Sequence, residues 1–280
     1  MRSPVTQYYG LKWNPFLPEA PVSAFTQLPR HEQFFWRVEG LASEGGFALV
    51  LGDPGTGKSI TMRLLEERLA RGQRMQVAAL TRPQSALGDF YREVGTLFSV
   101  PLSASNRWGG YRALREKWLA HCDQARTRPV LLVDEAQEMP SAVLSELRLL
   151  SSVEFDARSV LTVVLAGDSR LRDKLRQPDL APLESRIRVR LRLETAAKED
   201  QEALLRHALD AAGNARLMTD DLVHAVADHS QGNVRALMNL GGELLQMGMR
   251  RERATLDVDL LLEMLGDREP KPGSRGRAAR

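Results

Sequence analysis

Short apolar runs alternate with amphipathic stretches through the first two thirds of the chain, and amphipathic stretches alone fill the remainder. Residues 31–41 read as a helix with Phe34, Phe35, Val38 and Leu41 on its apolar side. Residues 47–51 are a continuous apolar run of strand length. After a loop, Ile60, Leu64, Leu65 and Leu69 recur on one helical face. Residues 75–80 are a second strand. Residues 86–98 follow as a helix that turns Leu87, Phe90, Val94, Leu97 and Phe98 inward. Residues 103–110 read as a loop, 111–125 as a helix, 129–133 as a buried strand, 142–150 as a helix and 159–166 as a fourth strand. A short helix over 171–175 follows. From Arg186 to Leu193, apolar and Arg positions alternate strictly, which is the period of a strand with one buried face.

From Ala196 onward the strand signal stops. Helical patterns cover 198–212, 219–229, 233–250 and 255–265, with turns marked by Asn214 and by Gly232-Asn233. The chain therefore divides into an N-terminal aromatic and Pro-rich segment (1–30), an α/β domain (31–195), a helical domain (196–265) and a basic tail (266–280). Tyr8-Tyr9-Gly10-Leu11-Lys12-Trp13-Asn14-Pro15-Phe16 suits neither helix nor strand. It would pack over a nucleotide base or cap a core. His31 reads as a capping or surface residue. Gly241-Gly242 interrupts a helix at about 1 kcal/mol per glycine, a cost that close packing would explain.

Composition narrows the class without deciding it. The 280 residues carry a formal charge of +3. Arg268, Lys271, Arg275, Arg277 and Arg280 outweigh Asp267 and Glu269, so the tail holds the whole excess. Such a tail either binds nucleic acid through counterion release or is a solvated end. Cys122 is the only cysteine, so no internal disulfide forms, which fits a reducing compartment. No apolar stretch approaches the length of a membrane span, and the start lacks an apolar signal core. The expectation is a cytoplasmic protein with no membrane partner.

The chemistry is concentrated at the ends of the strands. Gly52-Asp53-Pro54-Gly55-Thr56-Gly57-Lys58-Ser59 fits the phosphate-loop pattern at every fixed position and lies between a strand and a helix. Its glycines let successive backbone N–H groups turn toward an anion, and the helix N-terminus that follows favours the same charge. Lys58 can reach outer phosphates, and the Ser59 hydroxyl can bind Mg²⁺. The set that would contact the phosphates is Gly52, Asp53, Pro54, Gly55, Thr56, Gly57, Lys58, Ser59 and Ile60. Asp134 and Glu135 close an apolar strand roughly 75 residues later. On a parallel strand beside the first, Asp134 would hold Mg²⁺ and Glu135 would polarise the attacking water. Asp168 ends the next strand and is either a sensor of the phosphate or a helix cap. Arg186 opens the alternating strand and could reach a neighbouring subunit. Arg235 lies in a helix's first turn, where a cation is ordinarily unfavourable unless an anion is near.

In this order, residues 52–59, Leu131 to Gln137, the strand ending at Gly167-Asp168, Glu184-Ser185-Arg186 and Gly232-Asn233-Val234-Arg235 resemble the AAA+ ATPases, from Tyr8 to Leu265. The resemblance implies a doubly wound five-strand parallel sheet with a C-terminal helical lid and nucleotide between them. It implies assembly with copies of itself as a ring or helical filament, hexamer-like in number. It makes residues 52–59 Walker A and Asp134-Glu135 Walker B. Asp168 stands at sensor 1, a position often filled by Asn or Thr. Arg186 stands at the arginine finger, with Arg188 in reserve, and Arg235 at sensor 2. Within the family, residues 9–16, Asp134-Glu135-Ala136-Gln137 and Leu165-Ala166-Gly167 are similar to the ExeA/GspA secretion ATPases. That branch also holds transposition ATPases similar to TnsC, TniB and IstB. Secretion members continue into a membrane span and a peptidoglycan-binding domain, and this chain ends in a charged tail. The favoured expectation is thus an ATPase that assembles on double-stranded DNA, marks a target and recruits a transposase, with a target-selection adaptor as a further partner. Assistance to secretion-system assembly without DNA contact is the alternative. A ring on DNA needs basic residues that bind phosphates without reading sequence. Arg82, Arg107, Arg112 and Lys117 are the candidates, and solvated surface charge is the other reading of each.

Overall fold

Five of the apolar runs pair as a single parallel sheet. The computed structural model describes residues 3–26, 28–72, 74–80, 82–102, 107–154 and 157–268, with the backbone alone at Arg107, Asp267 and Arg268. The rest of the basic tail, residues 269–280, lies outside the described residues. Two units are present, Gln27–Glu194 and Met1–Thr26 with Thr195–Arg280.

The strands in chain order are β1 (Gly46–Gly52), β2 (Met75–Leu80), β3 (Arg128–Val133), β4 (Ser152–Val153), β5 (Arg158–Ser159), β6 (Thr162–Gly167) and β7 (Ile187–Leu193). The main sheet has the order β2-β3-β6-β1-β7, and β4 and β5 form a separate antiparallel pair. β3 and β6 lie inside the sheet and bury nearly every residue, as a strand covered on both faces must. β7 is an edge strand. Its Ile187, Val189, Leu191 and Leu193 are buried, while Arg188, Arg190 and Arg192 face outward. The alternation read from the sequence is therefore borne out. Charged side chains along an edge also discourage pairing with another sheet.

Helices cover this sheet. α1 (Pro4–Tyr8) belongs to the other unit; α2 (Pro29–Glu44), α3 (Lys58–Arg71), α4 (Leu87–Leu97), α5 (Arg107–Ala120), α6 (Ser141–Ser151), α7 (Ser169–Leu175) and α8 (Ala181–Glu184) belong to this one. Phe47, Leu49, Phe90, Val94, Phe98, Trp118, Leu131, Leu147 and Val163 share its core. Each such side chain contributes about 1.5–3 kcal/mol by leaving water. Arg68 of α3 bonds Glu39 of α2 at 2.7 Å and Glu32 at 2.5 Å, which ties the helix before β1 to the helix after it.

Two sequence expectations shift here. The strand expected over 159–166 is two pieces, because Ser159 pairs with Ser152 in the small hairpin and β6 begins only at Thr162. The helix expected from residue 111 begins at Arg107, inside the expected loop, and its last turn widens into a π-helix at His121–Ala125.

The second unit is helical: α9 (Lys198–Ala212), α10 (Asp220–Ser230), α11 (Val234–Arg250) and α12 (Val258–Arg268), with α1. The aromatic N-terminal stretch supplies Val5, Tyr9, Leu11 and Phe16 to its core, against Leu205, Leu209, Leu237 and Leu244. The backbone is tied in as well: the Lys12 N–H donates to the Ala212 carbonyl at 2.8 Å, and Asn214 Nδ2 donates to the Tyr9 carbonyl at 3.1 Å. Gly241 faces Phe16, where an added Cβ would lie 2.6 Å from the ring. The packing that requires this glycine therefore comes from an aromatic side chain of the N-terminal stretch. Among the described residues no helix is long and apolar enough to cross a membrane.

Candidate functional site

Strand register decides what meets at the carboxyl edge of the sheet. Leu49 pairs with Leu165, and Leu165 pairs with Val133, so β1, β6 and β3 run level. The segments leaving those strands, from Gly52, Asp134 and Asp168, emerge side by side. β1 and β6 are neighbours whose onward connections depart to opposite sides, to β2 and to β7, and such a point leaves a crevice outside the strand ends.

The loop from Gly52 to Ser59 is shaped by backbone conformations that suit glycine. Gly55 has φ 86° and Gly57 has φ 96°. Gly57 is the N-cap of α3 in a left-handed conformation, which aims the first N–H groups of the helix into the loop. A Cβ at Gly52 would lie 2.5 Å from Thr56 Oγ1 and 2.9 Å from the Leu193 carbonyl, so the loop closes tightly there. Thr56 Oγ1 donates to the Asp53 carbonyl at 2.8 Å. The Lys58 ammonium donates to the carbonyls of Gly52 (2.9 Å) and Asp53 (3.2 Å), which places it over the loop. Ser59 is exposed and Ile60 half-buried in the first turn of α3; Asp53 and Pro54 form the exposed tip.

Asp134 and Glu135 follow β3 directly. Asp134 Oδ1 accepts the Glu135 N–H at 2.9 Å, and Glu135 adopts a left-handed φ of 51° that turns the chain out of the strand. Its carboxylate is exposed and accepts a hydrogen bond from Gln137 Nε2. The donor set that fits a metal here is a hydroxyl and a carboxylate, Ser59 and Asp134, both oxygen. This suits Mg²⁺, which takes one or two protein oxygens together with phosphate oxygens. No cluster of three or more His, Cys, Asp or Glu occurs among the described residues, so a dedicated protein cage for a metal is absent from them.

Asp168 is buried at the N-terminus of α7. Its Oδ1 accepts the Arg170 N–H at 2.8 Å and its Oδ2 accepts Arg170 Nε at 3.0 Å. Of the two readings of Asp168, the structure shows its carboxylate engaged as a helix cap, at the same edge as Glu135. Arg186 lies elsewhere. Ile187 pairs with Phe47, at the amino end of β1, so Arg186 sits a strand's length, roughly 17–20 Å, from this protomer's phosphate loop. Its Nη1 donates to the Pro182 carbonyl at 2.6 Å. Arg188 bonds Glu44 at 2.8 Å and the Gly45 carbonyl at 2.6 Å near the same end. Arg235 is exposed in the first turn of α11, in the other unit.

The basic residues considered for nucleic acid do not form one group on loops. Arg82 is exposed just after β2. Arg112 and Lys117 sit within α5, where Arg112 faces Glu116 at 3.8 Å and Lys117 donates to the Ser99 carbonyl at 3.1 Å. Arg107 opens the same helix, and its side chain lies outside the described residues.

Two residues that the sequence placed outside the site support it. His31 is buried, with Nδ1 accepting the Leu28 N–H at 3.3 Å and Nε2 facing Thr61 Oγ1 at 3.4 Å. The capping reading of His31 is thus correct, in a buried rather than a surface setting. Thr61 Oγ1 donates to the Gly57 carbonyl at 3.0 Å, so His31 bears on the first turn of the phosphate-loop helix. Burial, with Arg30 adding to it, pushes the His31 imidazole down to about 4. The other residue is Gln137, part of the Asp-Glu-Ala-Gln stretch.

Residues 41–175 match a family model described as an AAA domain. General secretion pathway protein A of Aeromonas hydrophila is 31% identical over 240 residues, covering 84% of this chain and 43% of that protein. The chain thus spans less than half the length of that relative. Among solved structures, the Aeropyrum pernix ORC2 protein, in ADPNP-ADP complexes, aligns with a TM-score of 0.72 at 14% identity. That alignment covers 91% of this chain and 71% of that one. The Aeropyrum pernix ORC1 protein in complex with DNA aligns with a TM-score of 0.68 at 18% identity, covering 90% and 68%. At these identities the likeness to solved structures is one of fold.

Proposed function

We propose that this AAA-domain ATPase, related to General secretion pathway protein A and built on the AAA+ fold of the ORC proteins, is an ATP-driven assembly factor on duplex DNA. In this reading it oligomerises with ATP bound, marks a DNA target, engages a transposase and is released by hydrolysis. The observation that carries the ATPase part is the convergence of residues 52–59, Asp134 and Glu135 at one sheet edge. Residues 52–60 would surround the phosphates, all but Pro54 offering a backbone N–H, and Lys58 would leave the loop carbonyls for the outer phosphates. Ser59 and Asp134 would hold Mg²⁺, which when bound neutralises charge on the phosphate oxygens. Glu135 would accept a hydrogen bond from the attacking water and polarise it.

Oligomerisation is supported by the placement of Arg186 at the far end of its own sheet. An arginine there serves a phosphate only across an interface, so the finger would come from the neighbour, with Arg188 as the second candidate. Arg235, in the first turn of α11, would be the nucleotide sensor of the helical unit, and Asp168 would act through the position of its loop. The DNA part draws on the ORC1 structure, which contains DNA. Arg82, and Arg112 and Lys117 from different sides of α5, would meet backbone phosphates. A cytoplasmic setting follows from that partner. A second reading, assistance to secretion-system assembly, is favoured by the secretion-pathway relative.

The test has two arms. With Mg²⁺ and ATP the chain turns over, and Glu135→Gln lowers kcat by on the order of 10²–10⁴. Duplex DNA binds with a non-hydrolysable ATP analogue, and affinity falls steeply as salt rises. Turnover without nucleotide-dependent, salt-sensitive DNA binding overturns the DNA reading and leaves the secretion reading.

A further inference from the structure

Gln137 is buried at 5% exposure in the turn that follows Glu135. A buried amide is costly unless its donors and acceptor find partners, so the destination of each of its atoms matters. Its Nε2 donates to Glu135 Oε2. Its Oε1 accepts the backbone N–H of Asp168 at 3.4 Å. The partners fix which end of the amide is which. A carboxylate accepts only a donor, and a backbone N–H gives only to an acceptor, so a flipped amide loses both bonds.

The surroundings hold this bridge in place. Gly167, the last residue of β6, makes room for it: a Cβ there would lie 2.7 Å from Gln137 Oε1. From α7, Lys174 Nζ donates to the main-chain carbonyls of Gln137 at 2.6 Å and Met139 at 2.8 Å. The turn carrying Gln137 is thus pinned to the helix that Asp168 caps. One side chain spans from the carboxylate after β3 to the backbone after β6.

We propose that Gln137 is the positioning residue for Glu135, holding one carboxylate oxygen so that the other points at the attacking water, and coupling that aim to the loop at Gly167-Asp168. The proposal rests on the reading of Glu135 as the group that polarises water. It assigns sensing at the end of β6 to the backbone position of Asp168, transmitted through the glutamine. The Asp168 carboxylate stays on Arg170. An unbridged Glu135, exposed at the end of a strand, would rotate among several rotamers. Misplacing a catalytic group by about 1 Å costs on the order of 10²-fold in rate.

The experiment uses the full chain and reads two quantities, kcat for ATP with Mg²⁺ and affinity for a fluorescent ATP analogue. Gln137→Glu keeps the volume and the acceptor for Asp168, but sets an oxygen against Glu135. Its kcat falls on the order of 10–100-fold, with analogue affinity within about two-fold of wild type. Gln137→Met, of similar volume and without either bond, gives the same split and stands in should the glutamate variant fail to fold. In a Glu135→Gln background, neither substitution lowers the residual turnover by more than about two-fold, because the partner it positions is gone. An equal fractional loss in both backgrounds overturns the proposal, as does lost nucleotide affinity with unchanged kcat. Should Glu135→Gln itself turn over at the wild-type rate, the reading of Glu135 fails. Should Glu135→Gln be inactive and the Gln137 variants fully active, the positioning role alone fails.

Discussion

Acid should loosen the support beneath the phosphate loop before it reaches the carboxylates that arginine partners hold low. His31 is 8% exposed and its imidazole is pushed down to about 4 from an ordinary 6.5, burial being the larger cause and Arg30 the smaller. Its folded value lies below its unfolded one, so the unfolded chain binds more protons between those limits. The stability associated with His31 is therefore complete above about pH 6.5, is lost as pH falls through that window, and levels off near 4. A shift of about 2.5 units corresponds to about 3 kcal/mol in full, of which about 2 kcal/mol is lost between pH 7 and pH 5. His31→Gln is the informative variant. A glutamine at the third helical position can still receive the Leu28 N–H through its side-chain oxygen, as in a capping box, yet it does not titrate. Urea unfolding of the α/β unit, followed through the buried Trp118, gives stability at pH 5, 6 and 7 for both proteins. Burial and Lys117 also hold the His121 imidazole below its usual range. Its share appears in both proteins and cancels in the difference. Asp123, Glu32 and Asp220 are held low by arginine partners and lose their pairing only at more acidic pH. The expected result is a decline between pH 7 and 5 steeper by about 2 kcal/mol in the wild type than in His31→Gln. Parallel declines would refute the reasoning.

Two further outcomes follow from the same geometry. Gly241→Ala places a Cβ 2.6 Å from the Phe16 ring, so overpacking of about 1–3 kcal/mol outweighs the helix propensity of about 1 kcal/mol gained. Gly242→Ala meets nothing closer than 3.7 Å and should stabilise by up to about 1 kcal/mol, and thermal melts of the two variants should move in opposite directions. Arg186→Ala should cut turnover by ~10³-fold or more while analogue binding persists. Mixed one to one with Glu135→Gln, it should recover roughly a quarter of wild-type turnover, because some interfaces then join an intact glutamate to a neighbour's arginine. No recovery on mixing would refute a finger supplied by the neighbour.

What could be read directly from the chain was local. Glycines at fixed spacing before Lys58-Ser59, two carboxylates after an apolar strand and the alternation from Ile187 to Leu193 each express a rule that acts over a few residues. Backbone torsion, strand pleat and burial operate at that range, so residue order alone determined those elements and the chemistry at their ends. The five-strand parallel sheet entered through resemblance. Its register, which levels Leu49, Leu165 and Val133, is a property of pairing between distant segments. The split of the strand expected over 159–166 has the same origin, since Ser159 found its partner in Ser152. Phe16 against Gly241, His31 against Thr61 and Gln137 against Asp168 join residues far apart in the chain. Nothing in their immediate neighbours distinguishes them from an ordinary aromatic, cap or turn residue. Only the closed tertiary structure, in which every buried polar atom needs a partner and every contact needs room, decided what those residues do.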